Sequence, residues 1–279
     1  MLRCPQSSDE SVAAARQLSL QGMDAQERGR WDQAETLFAL AVERCPRDER
    51  ARCGYAESLW QRGAQDDAVK NMEEAVRLSG HDPERMVQLG KMYLSRGQLQ
   101  PAAEQAEAAI AANRQLASAW ALHGQILQAQ GSRTEALASF HRALRYQPQF
   151  PEVHLSLAEI YKQQNRPQRA LATLQSLADS LPPSQVPVEV LVQQAFALRE
   201  LARHQDAAQC LATAVSRCEP SADLLYELGR TQLLAGDTAS ARLSVAAGLA
   251  RDSQHAGCLA LSAELTPPQG IVAAMLNSR

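Results

Sequence analysis

Small and large apolar residues recur along this chain with a period of 34 residues, and within each period they fall at helical spacing. With the frame starting at Ala15, and three residues inserted at 185–187, the twentieth position is alanine seven times: Ala34, Ala68, Ala102, Ala136, Ala170, Ala207 and Ala241. Position 8 is always small: Gly22, Ala56, Gly90, Gly124, Ala158, Ala195 and Gly229. Position 27 is Ala41, Ala75, Ala109, Ala143, Leu177, Ala214 and Gly248. Bulkier side chains gather at position 24, as Phe38, Met72, Ala106, Phe140, Leu174, Leu211 and Val245. Two helices approach closely only where side chains are small. Each period therefore predicts an antiparallel pair, helix A carrying positions 4, 8 and 11 and helix B carrying positions 20, 24 and 27. Position 8 is expected to meet position 20 across the pair, with position 27 turned toward the next period.

The breaks between helices repeat as well. Gly29, Gly63, Gly97, Gly131, Asn165 and Gly236 share one place, where helix A must end in the left-handed conformation that Gly and Asn tolerate. In the sixth period Ala202 stands there instead. Asp32 followed by Glu35 predicts a capping box, Pro101 and Pro167 suit the first turn of a helix B, and Pro46, Pro148 and Pro182 stop one. The segment LPPSQVP (181–187) predicts a longer loop and a mild separation of a five-repeat block from a two-repeat block.

In the period 117–150, Trp120, Gly124, Ala136, Phe140, Ala143 and Pro148 occupy positions 4, 8, 20, 24, 27 and 32. This resembles the tetratricopeptide repeat, whose signature runs W-x₂-L-G-x₂-Y, then A-x₃-F, then P. The resemblance covers about 15–255. It implies an all-α fold: a right-handed α-solenoid of about seven helix-turn-helix repeats with a C-terminal capping helix. The repeats fall at 15–48, 49–82, 83–116, 117–150, 151–184, 188–221 and 222–255, followed by a cap at 256–265. Residues 1–14 and 266–279 are read as terminal tails. Ile271, Val272, Met275 and Leu276 give the second tail an apolar stripe at helical spacing, suited to an added cap or to docking on another chain.

The family resemblance also implies where a ligand sits, on a concave face lined by the A helices. Carried onto this chain, position 9 gives Met23, Glu57, Lys91, Gln125, Glu159, Phe196 and Arg230. Position 12 adds Gln26, Trp60, Leu94, Gln128, Lys162, Arg199 and Leu233, and position 5 adds Ser19, Cys53, Val87, Ala121, Leu155, Val192 and Tyr226. Trp60 and Phe196 are the most distinctive of these, because buried aromatic side chains anchor many interfaces. Some members of the family clamp a peptide carboxylate with Asn, Lys and Arg. The asparagines here, Asn71, Asn113, Asn165 and Asn277, all miss the lining columns, so that clamp is not expected.

Composition narrows the rest. Aromatic residues make up only 4% of the chain, so the core must be built from Leu, Ala, Val and Met. A net charge of −3 argues against nucleic-acid binding, which needs a basic face. No stretch reaches the length of a membrane span. The start, MLRCPQSSDE, lacks the apolar core of a secretion signal. A cytoplasmic location follows as an expectation; a start further upstream would reopen the periplasm. Cys4, Cys45, Cys53, Cys210, Cys218 and Cys258 form no C-x-x-C and have no histidine at zinc-ligand spacing, so no metal and no cofactor are expected. His123 and His154 fall in core-facing columns and read as structural. No nucleophile, phosphate-loop or zincin motif occurs, and no catalytic residue is assigned. The function expected is that of a non-catalytic scaffold or adaptor holding a protein or peptide. The alternative is an accessory or substrate-recruiting subunit of an enzyme or an envelope or secretion assembly complex.

Overall fold

Helices of 10 to 19 residues alternate with short turns throughout residues 9–266, the part described by this computed structural model. The chain divides into two compact units, the first reaching Gln147 and the second starting at Pro148. In the first, α1 (Asp9–Glu27), α3 (Glu49–Gln61), α5 (Pro83–Ser95) and α7 (Ala117–Ala129) are A helices. Each pairs with the B helix that follows: α2 (Trp31–Arg44), α4 (Gln65–Leu78), α6 (Leu99–Ala112) and α8 (Arg133–Tyr146). The second unit holds α9 (Pro151–Gln163) with α10 (Pro167–Asp179), α11 (Val188–Glu200) with α12 (His204–Val215), α13 (Ala222–Leu234) with α14 (Thr238–Arg251), and a last helix α15 (Ala256–Leu265). No described helix is long and apolar enough to cross a membrane.

The small columns are buried as the pattern requires. All seven alanines at position 20 are at most 3% exposed, and every position-24 side chain is at most 2% exposed. What the small residue at position 8 accommodates differs from the expectation. A Cβ added at Gly124 would lie 2.6 Å from the Phe140 ring, one at Gly22 would lie 2.9 Å from Phe38, and one at Gly229 would lie 3.0 Å from Val245. The tight partner is thus the bulky position 24. Position 20 contributes its backbone, with Ala241 O at 3.3 Å from the Gly229 Cβ point. Repeat three shows the compensation. Its position 24 is only Ala106, and Leu122 from the next A helix fills the space, 2.6 Å from where a Gly90 Cβ would be.

Each A helix of a hairpin ends in the same turn. The backbone N–H of position 16 donates to the carbonyl of position 11, as in Ala64 N to Leu59 O, Ser132 N to Leu127 O and Arg203 N to Leu198 O, each 2.9 Å. This closes the helix with a left-handed residue at position 15. The turn holds even where glycine is replaced: Asn165 has φ +55° and Ala202 has φ +56°.

Three expectations are corrected. Asp32 and Glu35 make no capping box, because α2 already starts at Trp31 and its N-cap, Arg30, offers no side-chain bond. Glu35 instead pairs with Arg62 at 2.8 Å. Side-chain caps occur elsewhere: Asp48 Oδ1 accepts from Arg50 N and Ala51 N on α3, Asp82 Oδ1 from Glu84 N and Arg85 N on α5, and Asp237 Oδ1 from Ser240 N on α14. Second, the segment 181–187 marks no division of the chain. It forms a single 3₁₀ turn, Pro183–Gln185, inside the second unit. Val186 is buried there, and Arg217 Nη1 donates to its carbonyl at 3.2 Å, which ties the proline-rich turn down. Third, α1 begins at Asp9, well ahead of Ala15, because the Ala13–Ala15 run favours helix and Val12 is half-buried. Residues 1–8, and the apolar stripe at 271–276, lie outside the described residues.

Candidate protein-binding face

Positions 9 and 12 are three residues apart, so each A helix presents them one above the other on one face. In the first unit this face is partly knitted together by its own polar groups. Gln26 Nε2 on α1 donates to Glu57 Oε2 on α3 at 3.4 Å and to Gly54 O at 3.3 Å. Gln88 Nε2 on α5 donates to Glu57 Oε1 at 3.1 Å. Arg85 Nη1 donates to Gln88 Oε1 at 3.0 Å and lies 3.1 Å from Cys53 Sγ, while its Nε is 3.5 Å from Glu49 Oε2. Glu57 therefore bridges three successive A helices, and its carboxylate is engaged within the protein.

Cys53 lies beneath this network. Burial, then the nearby Glu57 carboxylate, pushes its thiol up to about 12, so it stays protonated and unreactive. Above the network the face is more open. Met23 and Lys91 are exposed, and Gln125 and Gln128 are half-buried. Trp60 and Leu94 are half-buried against the core cluster that includes Leu89 and Met92. Val87 does not line this face. It is 4% exposed within the same cluster, and Ser19, Cys53 and Ala121 at the equivalent position are buried too. In these four repeats position 5 turns inward and supports the face from below.

In the second unit position 5 behaves differently. Leu155, Val192 and Tyr226 are each half-buried, on three successive A helices. One turn along α11 from Val192, Phe196 is half-buried with the Arg199 guanidinium 5.0 Å from its ring centroid. Arg199 also pairs with Glu227 of α13. Glu159 and Lys162 form an ion pair at 3.6 Å, and Gln163 Nε2 donates to Glu159 at 3.0 Å. Tyr226 packs near the His255 ring, with centroids 5.8 Å apart, and Arg230 is exposed one turn beyond it. The cavity between Lys162 and Phe196 measures about 10 Å³, room for about one water and not for a small molecule.

The sequence columns missed Arg85 and Gln88 as organisers of the first face, whereas Gln26 stood in them at position 12 and Leu155 and Val192 at position 5. The signal lay in position 5 itself. It is Ser, Cys or Ala in repeats one, two and four, and large and apolar in repeats five to seven. Of the two histidines assigned to the interior, His154 is buried and His123 is half-buried. His154 places its ring nitrogens 2.9 Å from Thr173 O and Pro148 O, and His123 Nδ1 is 2.9 Å from Ser139 Oγ. Among the described residues no three His, Cys, Asp or Glu side chains converge as metal ligands. Trp120, expected in the core, is half-buried. Its indole N–H donates to Arg114 O at 2.8 Å, and Arg142 stacks 4.6 Å from its ring centroid.

Comparison with known proteins bears directly on this arrangement. Two family models, each described as a tetratricopeptide repeat, match the chain, one over residues 19–83 and the other over 127–186. A tetratricopeptide repeat protein from Parabacteroides merdae is 15% identical and superposes with a TM-score of 0.60, over 91% of this chain and 98% of that one. PilW, described as a widely conserved type IV pilus biogenesis factor, is 19% identical with a TM-score of 0.65, over 77% of this chain and 96% of its own. YrrB, described as having an unusual peptide-binding site, is 19% identical with a TM-score of 0.54, over 67% of this chain and 95% of its own. No curated protein sequence matches. The 34-residue columns, the all-helical hairpins that bury them, the two profile matches and the shared fold together show that the chain belongs to the tetratricopeptide-repeat family.

Proposed function

We propose that this protein is a non-catalytic interaction scaffold that holds a segment of a partner protein, an extended peptide or a helix, on the A-helix face. One observation carries the reading. Leu155, Val192 and Tyr226 set half-buried apolar side chains at the same place on three successive A helices, with Phe196 beside them. Monomeric proteins seldom leave such a row open without using it. A partner side chain laid along it would gain affinity from apolar contact, while Lys162 and Arg230 beside the row would set register and orientation. In the first unit Trp60 and Leu94 offer a smaller apolar contact next to the exposed Lys91. YrrB, which shares the fold, is a peptide binder by its own description, in keeping with this use of a repeat face.

The test is a binding titration. The partner is identified by affinity purification from the native cell and titrated against the wild-type chain and a Trp60→Ala/Phe196→Ala variant. A rise in Kd of about tenfold or more, with helicity unchanged, is expected for two aromatic anchors. An unchanged Kd would remove the A-helix face from consideration.

A further inference from the structure

Charge flanks the apolar row of the second unit, and its two flanks differ. Three residues before each member of the row, at position 2 of the repeat, stand Glu152, Glu189 and Asp223. All three are exposed. Residues i and i+3 share one face of a helix, so this acidic line runs alongside Leu155, Val192 and Tyr226 across α9, α11 and α13. The other flank carries Lys162 and Arg199 at position 12 and Arg230 at position 9. Lys162 and Arg199 are offset there by Glu159 and Glu227, and Arg230 is exposed. The face is therefore negative on one side of the row and net positive on the other. Acidic residues favour the first turn of any helix. That preference alone does not produce the line, because position 2 is Arg16, Arg50, Glu84 and Ser118 in repeats one to four. In those same repeats the position-5 side chains are buried. The acidic line and the open apolar row thus occur together, in the same three repeats.

Building on the A-helix face as the binding surface, we propose that its occupant is an amphipathic α-helix of a partner protein. It lies across α9, α11 and α13 and carries Lys or Arg along the edge of its apolar stripe that meets Glu152, Glu189 and Asp223. Charge selects that edge, and spacing selects the helix. α9 and α11 pack together, and Arg199 of α11 reaches Glu227 of α13. Successive members of the row are then separated by roughly one interhelical distance, about 8 to 10 Å. Two turns of an α-helix advance about 10.5 Å, which brings residues i, i+7 and i+14 over the three sites. A helix also presents an apolar stripe and both of its polar edges to one surface. An extended strand turns alternate side chains away and repeats on one face about every 6.8 Å, so it matches neither the spacing nor the flanks. The row ends after α13, because α15 offers only Gly257 and Ala260 at the corresponding positions. A partner helix of about four turns covers it.

Synthetic helical peptides titrated against the full chain by fluorescence anisotropy test this. Two peptides of identical composition share Leu at i, i+7 and i+14. One carries Lys along one edge of that stripe and Glu along the other; the second has Glu on both edges and its Lys on the outer face. The Lys-edged peptide should bind about tenfold more tightly, and the difference should shrink as salt is raised. In a Glu152→Lys/Glu189→Lys variant, which changes only exposed side chains, the order of the two peptides should reverse. Val192→Asp should weaken both alike. A Lys-edged peptide with two central prolines, which cannot be helical, should bind at least about tenfold more weakly than its parent. Equal affinity of the two helical peptides, or an order that Glu152→Lys/Glu189→Lys leaves in place, would overturn the charged edge, while a loss in Val192→Asp would keep the A-helix face. Equal or tighter binding of the proline peptide would overturn the helical occupant. Binding that Val192→Asp leaves unchanged, or no binding of any peptide up to about 1 mM, would remove the face and the proposal together.

Discussion

Ala202 sits at φ +56° in a turn where five of the seven repeats place glycine. A left-handed L-residue costs about 1 to 2 kcal/mol. Ala202→Gly removes that strain and returns about 0.5 kcal/mol through the looser unfolded chain. The variant should be more stable by about 0.5 to 1.5 kcal/mol in denaturant titration, against the usual direction for glycine in place of alanine. The His123 ring illustrates the other kind of residue-level effect. Burial lowers its pKa below the usual 6.5, with the nearby Glu107 carboxylate opposing and Arg142 adding to the shift. The unfolded chain then takes up the proton first as pH falls. Stability contributed by the neutral ring is complete above about pH 6.5 and is lost below it, until the folded state protonates too. His123→Gln should flatten that part of the stability profile between pH 7.5 and 5. Ala202 and the three small-residue columns could be placed from sequence, because backbone chirality and helix contact distance depend on residue type alone. The environment of His123 could not, since burial depends on what packs over it.

At the scale of the helix, the hairpin is the unit that carries stability. Every described α-helix after α1 has 10 to 14 residues, a length that is marginal in isolation. Each is held by the large residue at position 24 pressing on the small one at position 8. Phe140 is fully buried against Gly124, so Phe140→Ala should cost about 3 to 5 kcal/mol in urea unfolding. The same change at Trp120 should cost less, because that ring is half-buried and keeps one edge on Arg142. The sequence pattern ranked these two residues alike, since both match the repeat signature; the difference in burial arises from which way each helix is rotated against its neighbours. The 181–187 segment teaches the same lesson. Its prolines correctly exclude a helix, but whether a loop loosens the chain depends on what anchors it, and here Val186 and Arg217 do.

At the scale of the whole chain, the period of 34 determined the all-helical class, the number of hairpins and the residues buried at their seams, but not that position 8 packs most tightly on position 24. These follow from steric rules that act within one repeat and its neighbour, so they can be read from the order of small and large residues. The candidate face was only half readable. The position-5 column named Cys53 and Val87 together with Leu155, Val192 and Tyr226, and only packing separates the buried first two from the half-buried other three. The sequence columns treated Glu57 as an open charge, where Gln26 and Gln88 from two other helices engage it. Position in a repeat sets the direction in which a side chain leaves its helix. Whether it then reaches solvent, a partner or a polar network depends on side chains about 34 residues away, and only the packed structure brings those together.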